Sequence, residues 1–166
     1  MEPLTRIATT NSVDVQQLAD IAARTFPLAC PASMAPANIA AFVEANLSPD
    51  RFAEYLADPQ RAVLTAADDN RIIGYAMLIR DGDAAELSKI YVAPEHHGTG
   101  VATGLMDLAL ATAREWDVRR VWLGVNQANQ RAQRFYTKSG FTVSGTRTFQ
   151  VGAGRENDFI MTRVLR

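Results

Sequence analysis

One cysteine and two histidines are all that 166 residues offer to thiol or imidazole chemistry. Cys30 alone excludes an intrachain disulfide and any cysteine-rich zinc site. His96 and His97 are neighbours with no further histidine or cysteine nearby, so no metal is expected. A basic excess is also lacking. Seventeen Lys and Arg face eighteen Asp and Glu, a net charge of −1, which argues against a nucleic-acid partner. No apolar run is long enough for a bilayer; the strongest, residues 72–79, is far too short. The opening residues 1–6 show no basic start followed by an apolar stretch, so no signal peptide is expected. These absences leave a cytoplasmic protein with no membrane partner. Apolar residues at 48% and charged residues at 21% are ordinary for a globular chain, and the length suits a single domain over 1–166.

The charge is unevenly divided. Residues 1–90 hold seven basic and twelve acidic side chains, a balance of −5, whereas residues 91–166 hold ten and six, a balance of +4. Such a split is expected if one half meets an anionic ligand and the other a cationic one.

Apolar spacing predicts a helix over 13–26, with Asn11 and Ser12 as cap candidates, then a proline-rich loop over 27–36. Two short helices follow at 37–46 and 49–56. Strand-like runs at 62–66, 72–80 and 84–92 are punctuated by Asp68-Asp69-Asn70 and Asp81-Gly82-Asp83, which suit hairpin turns. A long helix is expected over 100–116, a buried strand over 121–125 and a helix over 129–139 closed by Gly140. Strands over 141–151 and 157–165 end the chain. This order describes an α/β (α+β) fold with one mixed sheet flanked by helices.

The most informative stretch is Ile90-Tyr91-Val92-Ala93-Pro94-Glu95-His96-His97-Gly98-Thr99-Gly100-Val101-Ala102. A strand runs into a turn, and two glycines stand where a long helix begins. Amides at a helix start lack partners and sit at the positive end of the dipole, a natural seat for phosphate. Glycine lets the backbone approach an oxygen closely. Neither a P-loop nor a dinucleotide fingerprint is present.

His97 to Ala102 resembles the (Gln/Arg)-x-x-Gly-x-(Gly/Ala) acyl-coenzyme A loop of the GNAT N-acetyltransferases, with histidine at the first position. Val92-x-Pro94 before it is similar to the family as well. So is Asn129-x-x-Ala132-x-x-Phe135-Tyr136-x-Lys138-x-Gly140-Phe141 after it. Leu87 to Val92, Val121 to Val125 and Asn157 to Met161 look most like the bacterial PaiA-type branch, which acetylates polyamines.

The resemblance implies a GNAT-type sheet, acetyl-coenzyme A as cosubstrate and a small-molecule amine as acceptor. It implies that the cofactor's pyrophosphate rests on the amides of Gly98, Thr99, Gly100, Val101, Ala102 and Thr103, beside His97. It places the pantetheine arm along the backbone of Ile90, Tyr91 and Val92, with the Ile90 amide toward the thioester carbonyl. Such a donor stabilises the oxyanion formed as the amine attacks. Asn129, a natural N-cap, would also touch the cofactor. Tyr136 would protonate the departing thiolate and Glu86 would serve as general base; by ordinary chemistry Tyr136 is a core or interface residue, and Glu86 is equally a cross-strand salt-bridge partner or a solvent-facing side chain. Other readings on the same scaffold are acetylation of a protein N-terminus, a lysine or an aminoglycoside, or a silent acyl-coenzyme A sensor. The presence of both Glu86 and Tyr136 favours the enzyme. The oligomeric state stays open, a homodimer included.

Overall fold

The computed structural model describes residues 4–151 and 153–165, so the opening residues 1–3 of the sequence reading lie outside it. Seven strands form one sheet in the order β1-β2-β3-β4-β5-β7-β6. They are β1 Leu4–Ala8, β2 Arg61–Asp68, β3 Arg71–Asp81, β4 Ala84–Val92, β5 Arg120–Asn126, β6 Thr142–Val151 and β7 Gly154–Val164. Every neighbouring pair is antiparallel except β4 and β5, which run parallel. The helices are α1 Val15–Ala29, α2 Pro36–Asn46, α3 Pro49–Ala57, α4 Val101–Glu115 and α5 Gln130–Lys138. The expected mixed α/β sheet flanked by helices is present.

Alternation along the strands sorts side chains to two faces. Leu64, Ala66, Ala76 and Leu78 pack with Leu105, Met106 and Ala109 of α4, and Phe135 and Tyr136 of α5 lie against that core. Val63, Tyr75 and Met77 point the other way, onto Leu18, Ile21 and Phe52 of α1 and α3. Both hairpin turns form where expected, with Asp69, Asn70 and Gly82 at positive φ. Among the described residues no helix is long and apolar enough to cross a membrane.

Three expectations need correction. The first helix starts at Val15, capped by Asp14, whose side chain accepts from the Gln16 amide; Asn11 and Ser12 lie outside it. It also runs through Pro27 to Ala29, because proline so near a helix end removes only one hydrogen bond. Pro36, read as loop, is the first residue of α2, where its missing N–H costs nothing. Strand β1 was not expected at all. Leu4 and Ile7 are exposed on this edge strand, so its sequence lacks an alternating signal.

Candidate active site

The parallel pair β4–β5 is held by only three matched positions, Ala84–Arg120, Ala85–Val121 and Glu86–Trp122. Beyond them the two strands diverge. On its other edge β4 keeps pairing with β3, but Leu78 faces Leu87 while Met77 faces Lys89, so Ser88 is an extra, bulged residue. A bulge bends its strand and re-aims the side chains after it. Glu86, before the bulge, lies on the α1–α2 face with its partner Ile79; the bulge puts Lys89 and Tyr91 on that same face and Ile90 and Val92 on the α4 face.

The diverging strands open a cleft of about 810 Å³ that passes through the sheet. Its upper edge is backbone. The Ala93 amide donates to the Ile73 carbonyl at 2.8 Å, so Ala93 and Tyr91 turn their peptide groups to β3. By alternation, the N–H and C=O groups of Ile90 and Val92 face the cleft, with no strand opposite. His97 Nε2, 2.8 Å from the Val92 carbonyl, covers one of them; a carbonyl only accepts, so Nε2 carries the proton. The imidazole therefore holds the strand, and the loop after it presents backbone.

That loop reaches α4 through Gly98 at φ 78° and Gly100 at φ 88°, both left-handed. Gly100 is the N-cap, no side chain caps it, and no acidic residue stands in the first turn. A Cβ at Gly98 or Gly100 would meet nothing within 4 Å, so both glycines face open space. The amides of Val101, Ala102 and Thr103 thus form an uncapped positive end beside the cleft.

The opposite wall comes from α5. Asn129 caps it, its Oδ1 accepting from the Ala132 amide at 3.2 Å. Tyr136 lines the cleft, its ring 5.6 Å from Phe135 and 6.2 Å from Phe141. Burial pushes its phenol well above the ordinary value, and its hydroxyl makes no hydrogen bond with another described residue. Tyr91 is raised in the same way, by burial first and then by neighbouring Tyr136, Cys30 and Asp158.

This geometry coincides with a family match. The model of the acetyltransferase (GNAT) family fits residues 15–141, from α1 to the end of α5. The chain belongs to the GNAT acetyltransferase family. An uncharacterized N-acetyltransferase of Mycobacterium tuberculosis is 63% identical over 153 residues, spanning 92% of this chain and 98% of its own. A [ribosomal protein bS18]-alanine N-acetyltransferase of Haemophilus influenzae is 31% identical over 101 residues, spanning 59% and 68%. The crystal structure of the PaiA N-acetyltransferase from Thermoplasma acidophilum in complex with coenzyme A has the same fold. It matches at TM-score 0.86 and 21% identity, covering 99% of this chain and 100% of that one.

On the other side of the cleft this GNAT chain gathers around Glu86 two charges that the sequence did not single out, Arg147 and Asp158. Arg147 of β6 crosses the sheet. Its Nε donates to Asp158 Oδ2 of β7 at 3.3 Å, its guanidinium lies 5.6 Å from the Trp122 ring centre, and Nη1 stands 3.9 Å from Glu86 Oε2 on β4. A Cβ on Gly124 would collide with that guanidinium, so glycine in β5 clears its path. Glu86 is thus in the cleft and also in a cross-sheet ion pair. Phe26 stacked on Phe42 at 4.6 Å, with Met34, forms an apolar wall facing them. Cys30 lines this wall, but burial raises its thiol to about 11, with Glu156 adding to the shift, which opposes a reactive thiolate. Among the described residues no group of three or more metal-ligating side chains occurs.

Asp158 has a side chain 5% exposed, and burial raises its pKa while Arg147 pulls it back. Arg147→Leu is expected to destabilise the fold at neutral pH by roughly 2–4 kcal/mol, below a fully enclosed pair because the guanidinium is part-exposed. A carboxylate with a raised folded pKa penalises the fold above its unfolded value, and the penalty fades as pH falls through the folded one. The deficit in urea denaturation should therefore narrow toward acid pH.

Proposed function

We propose that residues 1–166 form a single-domain cytoplasmic enzyme that transfers the acetyl group of acetyl-coenzyme A to a primary amine by direct attack within a ternary complex. The observation that carries this reading is the diverging β4–β5 pair, whose free backbone edge leads from the Gly98–Gly100 helix start to Tyr136. The pyrophosphate would lie on the amides of Gly98 to Thr103, and the pantetheine arm along Ile90 to Val92, with Asn129 beside it. When bound, the cofactor supplies an activated acyl group. The Ile90 N–H polarises the carbonyl, Glu86 takes the proton of the incoming ammonium directly or through water, and Tyr136 gives its proton to the leaving sulfur.

The acceptor half sets two carboxylates, Glu86 and Asp158, against the single guanidinium of Arg147 behind an aromatic wall, an acidic balance that suits a small cationic amine. Together with the acidic balance of residues 1–90, this supports a polyamine, and the distant PaiA structure points the same way. Thiol release measured across polyamines, amino acids, aminoglycosides and short peptides tests it. Turnover of spermidine with a KM that rises with salt is the expected result. Far faster turnover of alanine-starting peptides would move the enzyme beside its bS18-alanine relative; acetyl-coenzyme A binding with no turnover would make it a sensor.

Glu86→Gln removes the base and leaves the shape. It should slow kcat/KM about tenfold or more near pH 7, where the amine is mostly protonated. The gap to wild type should close toward pH 9–10 as free amine becomes abundant. A pH–rate profile reads both.

A further inference from the structure

Only two of the seventeen basic residues are lysine, Lys89 and Lys138; the other fifteen are arginine. Guanidinium stays charged at any working pH, so lysine side chains are rare nucleophilic amines in this chain. One of the two stands inside the reaction cleft. Lys89 follows the Ser88 bulge on β4, lines the cleft, and immediately precedes Ile90, whose amide faces the opening. Its Nζ donates to Ser88 Oγ at 3.2 Å and has no carboxylate within salt-bridge distance among the described residues. Its register partner Met77 and that of Glu86, Ile79, both pack on the α1–α2 side, so Lys89 and Glu86 share that face, the one that the reading above gives to the acceptor amine.

We propose that Lys89 is a self-acetylation site, a built-in acceptor that takes the acetyl group when no external amine is bound. This rests on the acetyl-coenzyme A reading above. The Nζ lone pair attacks the thioester carbonyl carbon, a C–N bond forms and the C–S bond breaks. Nitrogen loses one proton, passed toward Glu86 or water, and coenzyme A leaves as the thiol after protonation. The product is one Nε-acetyl-lysine per chain and one free thiol.

The chemical state of Lys89 agrees. Burial lowers its pKa to about 8, with nearby Arg61 acting in the same direction and Glu86 opposing. At pH 7 about a tenth of such amines are neutral, against less than about a thousandth for an ordinary lysine. Lys138 is exposed at the rim of the cleft on α5 and serves as the internal comparison.

The experiment incubates the full chain with isotopically labelled acetyl-coenzyme A and no acceptor, then maps the label by peptide mass spectrometry. Lys89 should acquire acetyl at least about tenfold faster than Lys138, in step with thiol release and up to one equivalent. Gly100→Val, which obstructs the helix start, should suppress labelling of Lys89 by acetyl-coenzyme A, whereas labelling by acetyl phosphate, which follows only the neutral fraction and access of each amine, should be the same in wild type and Gly100→Val. Lys89→Arg should remove the fast phase; if that variant fails to fold, the Gly100 and acetyl phosphate arms still decide. An enzyme that binds acetyl-coenzyme A and acetylates added amines while Lys89 stays unlabelled, or is labelled no faster than Lys138, overturns the proposal. A chain that neither binds acetyl-coenzyme A in calorimetry nor releases thiol with any amine overturns the parent reading, a separately visible outcome.

Discussion

A Gly100→Val enzyme is expected to lose its hold on acetyl-coenzyme A almost entirely. Two effects act in the same direction. Gly100 sits at φ 88°, where a side chain adds about 1–2 kcal/mol of backbone strain. Its missing Cβ also faces open space beside the uncapped amides of α4, the space that a pyrophosphate would fill. A branched side chain there blocks approach to the amides and tilts the first turn. The dissociation constant measured by calorimetry should rise at least about a hundredfold, or about 2.8 kcal/mol. Gly82→Val is the control, because Gly82 has φ 62° and open space around it but lies in the β3–β4 hairpin turn. It should cost similar stability and leave affinity unchanged. Equal affinity for the Gly100 variant and wild type would remove the phosphate from the start of α4.

Tyr136→Phe should do the opposite, sparing affinity and slowing chemistry. The ring and its packing against Phe135 and Phe141 remain, and only the hydroxyl is lost. Burial keeps that hydroxyl protonated through the working range, so it stays available to a leaving thiolate at every useful pH. Loss of a general acid typically costs about 10²–10⁴-fold, and a thiol is a fair leaving group, so a fall in kcat of about 10- to 1,000-fold is expected. With acetyl-coenzyme A binding unchanged, this marks an interaction made mainly in the transition state. Full kcat, under conditions where chemistry limits turnover, would return Tyr136 to a packing role.

Much of the wall built from β4, α4 and α5 could be read from the chain because its signals are local. Two glycines before an amphipathic helix, an asparagine at a helix start and an alternating strand are each contained within a dozen residues. The structure brings Ile90, Val92, Gly98, Gly100, Asn129 and Tyr136, the residues singled out through the family resemblance, around one cleft. The charged wall around Arg147 was hidden for the opposite reason. Arg147 meets Glu86 across 61 positions, and the meeting depends on β7 inserting between β5 and β6, which no local pattern encodes. Gly124 read as an ordinary strand residue, although it makes room for that arginine. The Ser88 bulge was invisible too, since only pairing with β3 shows that one residue is supernumerary. Without the bulge, alternation gives Lys89 the wrong face. Asp14 caps α1, while Asn11 and Ser12, equally good cap residues by type, belong to the turn after β1.

The three-rung seam between β4 and β5 has a thermodynamic consequence. A sheet of seven strands is sewn together at its middle by the fewest stitches, and the next peptide groups of β4 have no partner strand. A ligand arm laid along that edge would act as a removable length of strand. Stabilisation by such a ligand grows as RT ln(1 + [L]/Kd), about 2.7 kcal/mol at a hundred times Kd. The same seam that opens the cleft would therefore be the part of the sheet whose cohesion changes most between empty and occupied chain.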